Sequence, residues 1–238
     1  MYHDAVGRVG DIHQAVRAGA PISMAEAEGT VDLLLQALAT DDAPVELLFR
    51  SRGRPSTPAR TAVNLCILAA KMGEELGYGR AQLRELGLAA LLWNIGVVRA
   101  PDDIAGPAVV ERYRREGEYA DVIRLAESYE ERVNGAPGER QAPAEALKGI
   151  LQRERSRYPD RILKALVRGI SMFPVGGLVR LTTGDIGRVV ARNRDFPLRP
   201  VVEVLVRRGS PPPTPVVIDL IQNPLVHVRE SLVEEALP

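Results

Sequence analysis

The sequence predicts a mainly α fold: helices through residues 1–172, followed by a small β-rich region over 173–238. Three observations carry that prediction. Apolar residues recur at helical spacing through most of 22–171, the repeat shortens after Phe173 from about 3.6 residues to about 2, and Pro and Gly clusters fall between these segments.

The stretch 22–39 (ISMAEAEGTVDLLLQALA) opens with Ser23 as a helix cap and Glu26 three residues later, the spacing of a capping box. A short helix is predicted over 43–50, and SRGRPSTP at 51–58 reads as a loop. Two longer helices follow. The first, over 59–76, turns Val63, Ile67, Ala70 and Leu76 inward and stops at Gly77; the second, over 80–94, turns Leu83, Leu86, Leu91 and Leu92 inward. Further helices are predicted over 107–117, 118–133, 142–153 and 159–171, divided by the NGAPG turn at 134–138 and by Pro159. Beyond Phe173, Leu178–Thr182 and Ile186–Arg192 form two β-branched runs around Gly184-Asp185, which predicts a hairpin. Strands are expected at 200–206 and 214–219, with Pro200 at a strand start and the PPPTP run at 211–215 as a stiff connector.

Composition narrows the function classes. A chain of 238 residues can build its core without disulfides or a structural metal, and its single cysteine, Cys66, cannot form an internal disulfide. With no signal-peptide pattern and no apolar run near the length of a membrane span, a cytoplasmic protein without a membrane span is expected. The 31 basic and 31 acidic residues cancel, which removes the strong field on which non-specific nucleic-acid binding depends. The balance is uneven along the chain: residues 1–45 carry seven acids against two arginines, and residues 168–208 carry eight arginines against three acids. Such a dipole suits docking to a charged protein surface or head-to-tail contact between copies, and it also arises by chance in an ordinary protein. Lysine occurs only at Lys71, Lys148 and Lys164. The arginine bias is consistent with genomic base composition or with phosphate recognition by planar guanidinium groups.

The run TAVNLCILAAKMGEELGYGRAQLRELGLAALLWNIGVVRAPDDI, followed by VIRLAESYEERV, QAPAEALKGI and FPVGGLVRLTTGDIGRVV in that order, resembles the HD-GYP family over roughly residues 20 to 220. Members of that family are bacterial phosphodiesterases that hydrolyse cyclic di-GMP at a two- or three-iron centre inside a helical bundle. The resemblance implies an HD-domain-like bundle with a β-rich appendage.

Residue by residue, the chemistry implied by the resemblance is missing. The family's first histidine ligand falls on Thr61, its His-Asp dipeptide on Trp93-Asn94, its substrate-contacting lysine on Val97, and its distal aspartate on Glu127. Thr is a poor substitute for an imidazole as an iron ligand, Trp has no lone pair to give, and Asn offers a neutral carbonyl in place of a bridging carboxylate. Only Glu127 keeps a carboxylate. Between Gly96 and Glu127, where the family places further helices, more histidines and the Gly-Tyr-Pro loop, this chain has about 30 residues and no histidine. His3, His13 and His227 lie outside the matching segments and at no mutual ligand spacing. Phosphodiester hydrolysis of this type uses two metals about 3.5–4 Å apart to generate hydroxide and neutralise the phosphate, and one carboxylate does not hold them.

No P-loop, GxSxG elbow or CxxC motif occurs. Gly176-Gly177 and Gly184 read as turn positions rather than as a phosphate cradle, Cys66 as a buried thiol, and Glu74-Glu75 and Glu130-Glu131 as solvated helix faces. The sequence therefore predicts no catalytic residue, no bound metal and no cofactor. The expected function is a non-catalytic HD-GYP-like signalling or scaffold protein that binds another protein or its own copies, with Val201, Val202, Val204 and Val216–Ile218 as the docking region. The alternative is a cyclic-dinucleotide sensor without hydrolysis that uses Arg50, Arg52, Arg54 or the basic appendage, and an enzyme of new specificity is a third reading.

Overall fold

A computed structural model of the chain describes residues 1–40, 43–50, 57–95, 117–136, 138–193, 195–207 and 209–233. Among these residues lie eight α-helices: α1 (Tyr2–Arg17), α2 (Met24–Thr40), α3 (Ala43–Arg50), α4 (Pro58–Glu75), α5 (Arg80–Leu91), α6 (Glu118–Asn134), α7 (Pro143–Arg153) and α8 (Asp160–Ile170). Five strands follow, β1 (Leu178–Leu181), β2 (Ile186–Ala191), β3 (Val201–Val206), β4 (Val216–Asp219) and β5 (Val228–Leu232). The predicted helix at 107–117 lies outside the described residues except for Gly117, and of the predicted loop at 51–58 only Thr57 and Pro58 are described, with Pro58 already in α4.

The centre of the bundle is α4, packed by α1, α2, α5, α6 and α8. Every residue from Ala62 to Gly73 is buried, as expected of a helix that is apolar all round. Small residues let its neighbours approach. A Cβ on Gly169 of α8 would stand 2.9 Å from the Lys71 carbonyl oxygen, so that crossing brings backbone against backbone. The helix begins where the sequence supplies a cap and a proline: the Thr57 hydroxyl accepts the Arg60 N–H at 3.2 Å, and Pro58 opens the first turn. Thr57→Ala is expected to cost about 1 kcal/mol, read as a lower urea midpoint at unchanged slope.

Helix α1 is not among the elements that the sequence pattern predicts. Gly7 and Gly10 each weaken a helix by about 1 kcal/mol relative to Ala, which masks a face made of Tyr2, Ala5, Val9, Ile12 and Val16. That face is buried against α2 and α4, and the packing supplies what propensity withholds. The Ser23 cap of α2 is present, its hydroxyl accepting the Glu26 N–H at 3.4 Å.

The five strands form one antiparallel sheet in the order β4-β3-β2-β1-β5. The predicted hairpin is β1–β2, with Gly184 turning at φ +87°. Val175, Val179, Leu181, Val189, Val202 and Leu220 form the apolar core of the sheet, and Leu178, Ile186 and Leu232 form a second cluster. Strand β5 is a further element absent from the sequence prediction. Its segment, VRESL, carries little β signal, and its conformation comes from pairing with β1, where Leu178 faces Leu232 and Arg180 faces Glu230.

The sheet rests on the bundle at several points. β5 contacts α7, and Gly176 lies so close to α3 that a Cβ there would stand 2.7 Å from the Glu46 carbonyl oxygen. The Arg192 guanidinium donates to the Gly169 carbonyl at 3.2 Å, at the end of α8.

Candidate functional site

The bundle brings together three of the positions that the resemblance singles out. Helix α5 ends at Leu91, and the following turn, with the Trp93 N–H bonded to the Ala90 carbonyl and the Ile95 N–H to the Leu92 carbonyl, presents Trp93 and Asn94 toward α6. There the Trp93 Nε1–H donates to Glu127 Oε2 at 3.2 Å, and the Asn94 Nδ2 donates to Glu127 Oε1 at 3.0 Å. Residues 33 and 34 apart in sequence thus meet around one carboxylate. Trp93 is 7% exposed and belongs to the main core cluster, while Asn94 and Glu127 are half-buried. Thr61 is half-buried in the first turn of α4, its N–H donating to the Thr57 carbonyl at 2.9 Å. Val97 lies outside the described residues.

This arrangement does not fit a divalent metal. Each Glu127 oxygen accepts one N–H and keeps a lone pair, but the two neighbouring side chains present N–H donors to it where a cation would need further lone pairs. The indole nitrogen donates only, and the amide has turned its NH2 rather than its carbonyl to the carboxylate. Among the described residues, no group of three or more His, Cys, Asp or Glu side chains is placed to hold a metal ion. Of the histidines, His3 and His227 are exposed, and His13 is buried in α1 with its pKa lowered by burial and by the neighbouring Arg17. Cys66 is fully buried in α4, and burial pushes its thiol up to about 12, which leaves no thiolate for nucleophilic chemistry near neutral pH.

One turn along α6, the structure corrects the reading of Glu130 as a solvated residue: it is 3% exposed. A hydrogen-bonded chain runs inward to it from α1, with the Tyr2 hydroxyl donating to Asn64 Oδ1 at 2.7 Å and Asn64 Nδ2 donating to Glu130 Oε1 at 3.0 Å. Burial raises the Glu130 pKa, opposed by the Asn64 hydrogen bond and by the nearby Asn134 amide, with Glu131 and Glu127 adding to the rise. Asn134 Nδ2 reaches no acceptor within hydrogen-bond distance, so Asn64 is the geometric anchor. The signal for this burial was present in the sequence. Ala126, Glu130 and Val133 fall on one face of α6 at spacings of four and three, and that face turns inward. By contrast Glu131, Glu74 and Glu75 are exposed, as expected.

The sheet adds the second part of the comparison. A family described as "KOW domain associated with HD domain" matches residues 178–237, the segment that begins with β1. The chain is also 24% identical over 255 residues to a protein of Pseudomonas aeruginosa named a cyclic di-GMP phosphodiesterase, with 86% of this chain and 61% of that protein aligned. The two matches agree in kind: the chain is similar to HD-domain proteins of the cyclic di-GMP phosphodiesterase type. It spans about three fifths of the length of the curated relative it matches. No solved structure matches the chain. Among the described residues, no helix is long and apolar enough to cross a membrane.

Of the residues named for the sensor alternative, Arg52 and Arg54 lie outside the described residues, as does the side chain of Arg50. The valines named for docking divide. Val202 and Val204 are buried in the sheet, whereas Val217 on β4 is 59% exposed.

Proposed function

We propose that this chain is a non-catalytic HD-GYP-like signalling or scaffold module in a bacterial pathway of cyclic di-GMP or a related signal, with residues 1–172 as its helical part and 173–238 as its β-rich part. The observation that carries the reading is the Glu127 carboxylate, engaged by the N–H groups of Trp93 and Asn94 where the resemblance expects metal ligands. Hydrolysis of a phosphodiester at neutral pH needs an activated water. A bound metal can lower the pKa of water from about 15.7 to about 7, and nothing else described around Glu127 supplies that activation. The Trp93 indole instead packs into the core of the bundle, turning the corresponding space over to stability.

The module acts by binding another protein or a second copy of itself, and β4 is the surface that supports this. It is an outer strand of the sheet, and Val217, Ile221 and Leu225 stand exposed on it and just beyond it. At the opposite edge, β5 contacts α7.

The test is metal analysis of the purified chain together with incubation with cyclic di-GMP. The expected result is no stoichiometric iron or manganese and no linearised product, with or without added metal. Metal-dependent turnover overturns the proposal. Saturable binding of the intact dinucleotide without turnover replaces the scaffold with the non-hydrolysing sensor.

A further inference from the structure

We infer that the cleft between the end of the helical bundle and the sheet is a binding site for a small phosphorylated molecule of nucleotide or sugar-phosphate size. The cleft encloses about 620 Å³, within the roughly 300–1,000 Å³ usual for small-molecule sites, and is formed where α4, α8 and the loop after β2 converge. It lies apart from the Trp93–Asn94–Glu127 cluster, whose residues are not part of its wall, and the inference stands independently of the scaffold reading.

The residue that demands an explanation is Ser171, which follows the last turn of α8. It is 5% exposed, and its backbone sits at φ +70° and ψ 151°, a region that is essentially glycine's. Ser171 lines the cleft, and its buried hydroxyl has no hydrogen-bond partner. An orphaned buried hydroxyl on a strained backbone costs stability twice over, and both costs are accounted for if the hydroxyl serves a ligand.

The surrounding charges identify the ligand class. Lys71, Arg168 and Arg192 line the cleft from three separate elements, against the two carboxylates of Glu74 and Glu75. Lys71 is 5% exposed, and its ammonium lies 2.8 Å from Glu74. Arg192 is fixed in place by its bond to the Gly169 carbonyl. Arg168 is exposed and makes no side-chain ion pair among the described residues. A guanidinium and a hydroxyl both donate, which suits the oxygens of a phosphate at the Ser171 end. Met172 and Leu198, the latter 61% exposed, give an apolar face for the body of the ligand. Glu75, at the α4 end, offers an acceptor for its hydroxyl or amino groups.

The test uses the full chain with adenosine monophosphate and glucose 6-phosphate as probes, and adenosine and glucose as their unphosphorylated parents. The two phosphorylated probes separate a nucleotide site from a sugar-phosphate site. At least one of them is expected to raise the Tm in a concentration-dependent way while its parent does not. Calorimetry should show its affinity reduced about tenfold or more by Arg168→Gln. Ser171→Gly supplies the second arm: glycine accepts the backbone conformation, so the unliganded Tm should rise while binding weakens. The inference is overturned if neither phosphorylated probe shifts the Tm, if each parent shifts it equally, or if Arg168→Gln binds as tightly as the natural chain.

Discussion

Replacing Trp93 with alanine is expected to destabilise the protein by about 3–5 kcal/mol, the range for truncating a large aromatic side chain in a core. The indole is 7% exposed and belongs to the cluster that includes α4 and α6, so the change opens a cavity at the end of α5. It also removes one of the two N–H groups from Glu127. Trp93→Phe separates the two contributions, because phenylalanine fills most of the volume but cannot donate. It should cost about 1–3 kcal/mol, the value of a hydrogen bond to a charged group together with a small packing loss. Urea unfolding of the three proteins at unchanged slope provides the comparison. If Trp93→Ala costs less than 1 kcal/mol, the indole is not the packing element described above, and the account of the converted site loses its physical basis.

The second large effect concerns Glu130. Glu130→Ala leaves the Asn64 amide, 1% exposed, without its acceptor, and an orphaned buried polar group costs about 1–3 kcal/mol before the cavity is added. Glu130→Gln keeps an oxygen for Asn64 and removes the charge, and pH dependence then distinguishes the roles. Because the folded pKa of Glu130 is raised above its unfolded value near 4.5, the native state holds a proton that the unfolded chain has already released. The contribution of this group to stability is therefore fully present below the unfolded pKa and is lost as pH rises through the folded one. The Gln variant escapes that loss. Its stability relative to the natural chain should rise from pH 4.5 toward pH 8 and level off above the folded pKa. Parallel stability curves across that interval would show that Glu130 titrates as an exposed carboxylate and would contradict the buried geometry. Burial also raises the pKa of the neighbouring Glu131, and the difference between the two curves cancels its common part.

Both predictions depend on how sequence-local signals were converted into a site. The HD-type resemblance named Trp93, Asn94 and Glu127 from two separate strings, and the structure brings Trp93 and Asn94 onto the Glu127 carboxylate. That much was legible because α5 and α6 are strongly patterned helices, and the resemblance fixed which of their residues to compare. Glu130 was misread although its spacing pointed inward. A glutamate is almost never fully buried unless it is partnered, and its partner, Asn64, lies 66 positions away on α4. Nothing in the local window announces that pairing. The cleft at Ser171 was equally hidden, because its walls come from α4, α8 and the loop after β2.

The sequence by itself determined the class of the fold, the order of helices α2 to α8 and strands β1 to β4, the limits of α2 to α5 to within a few residues, and the absence of His and Asp from the positions where the resemblance expects them. Those features are set by periodicity, caps and residue identity, all of which are local. Only the tertiary structure decided that α1 is a helix despite two glycines, that β5 is a strand despite its polar sequence, and that Glu130 is inside while Glu131 is outside. In each case the deciding free energy comes from a partner distant in the chain: the bundle for α1, β1 for β5, and the amide of Asn64 for Glu130.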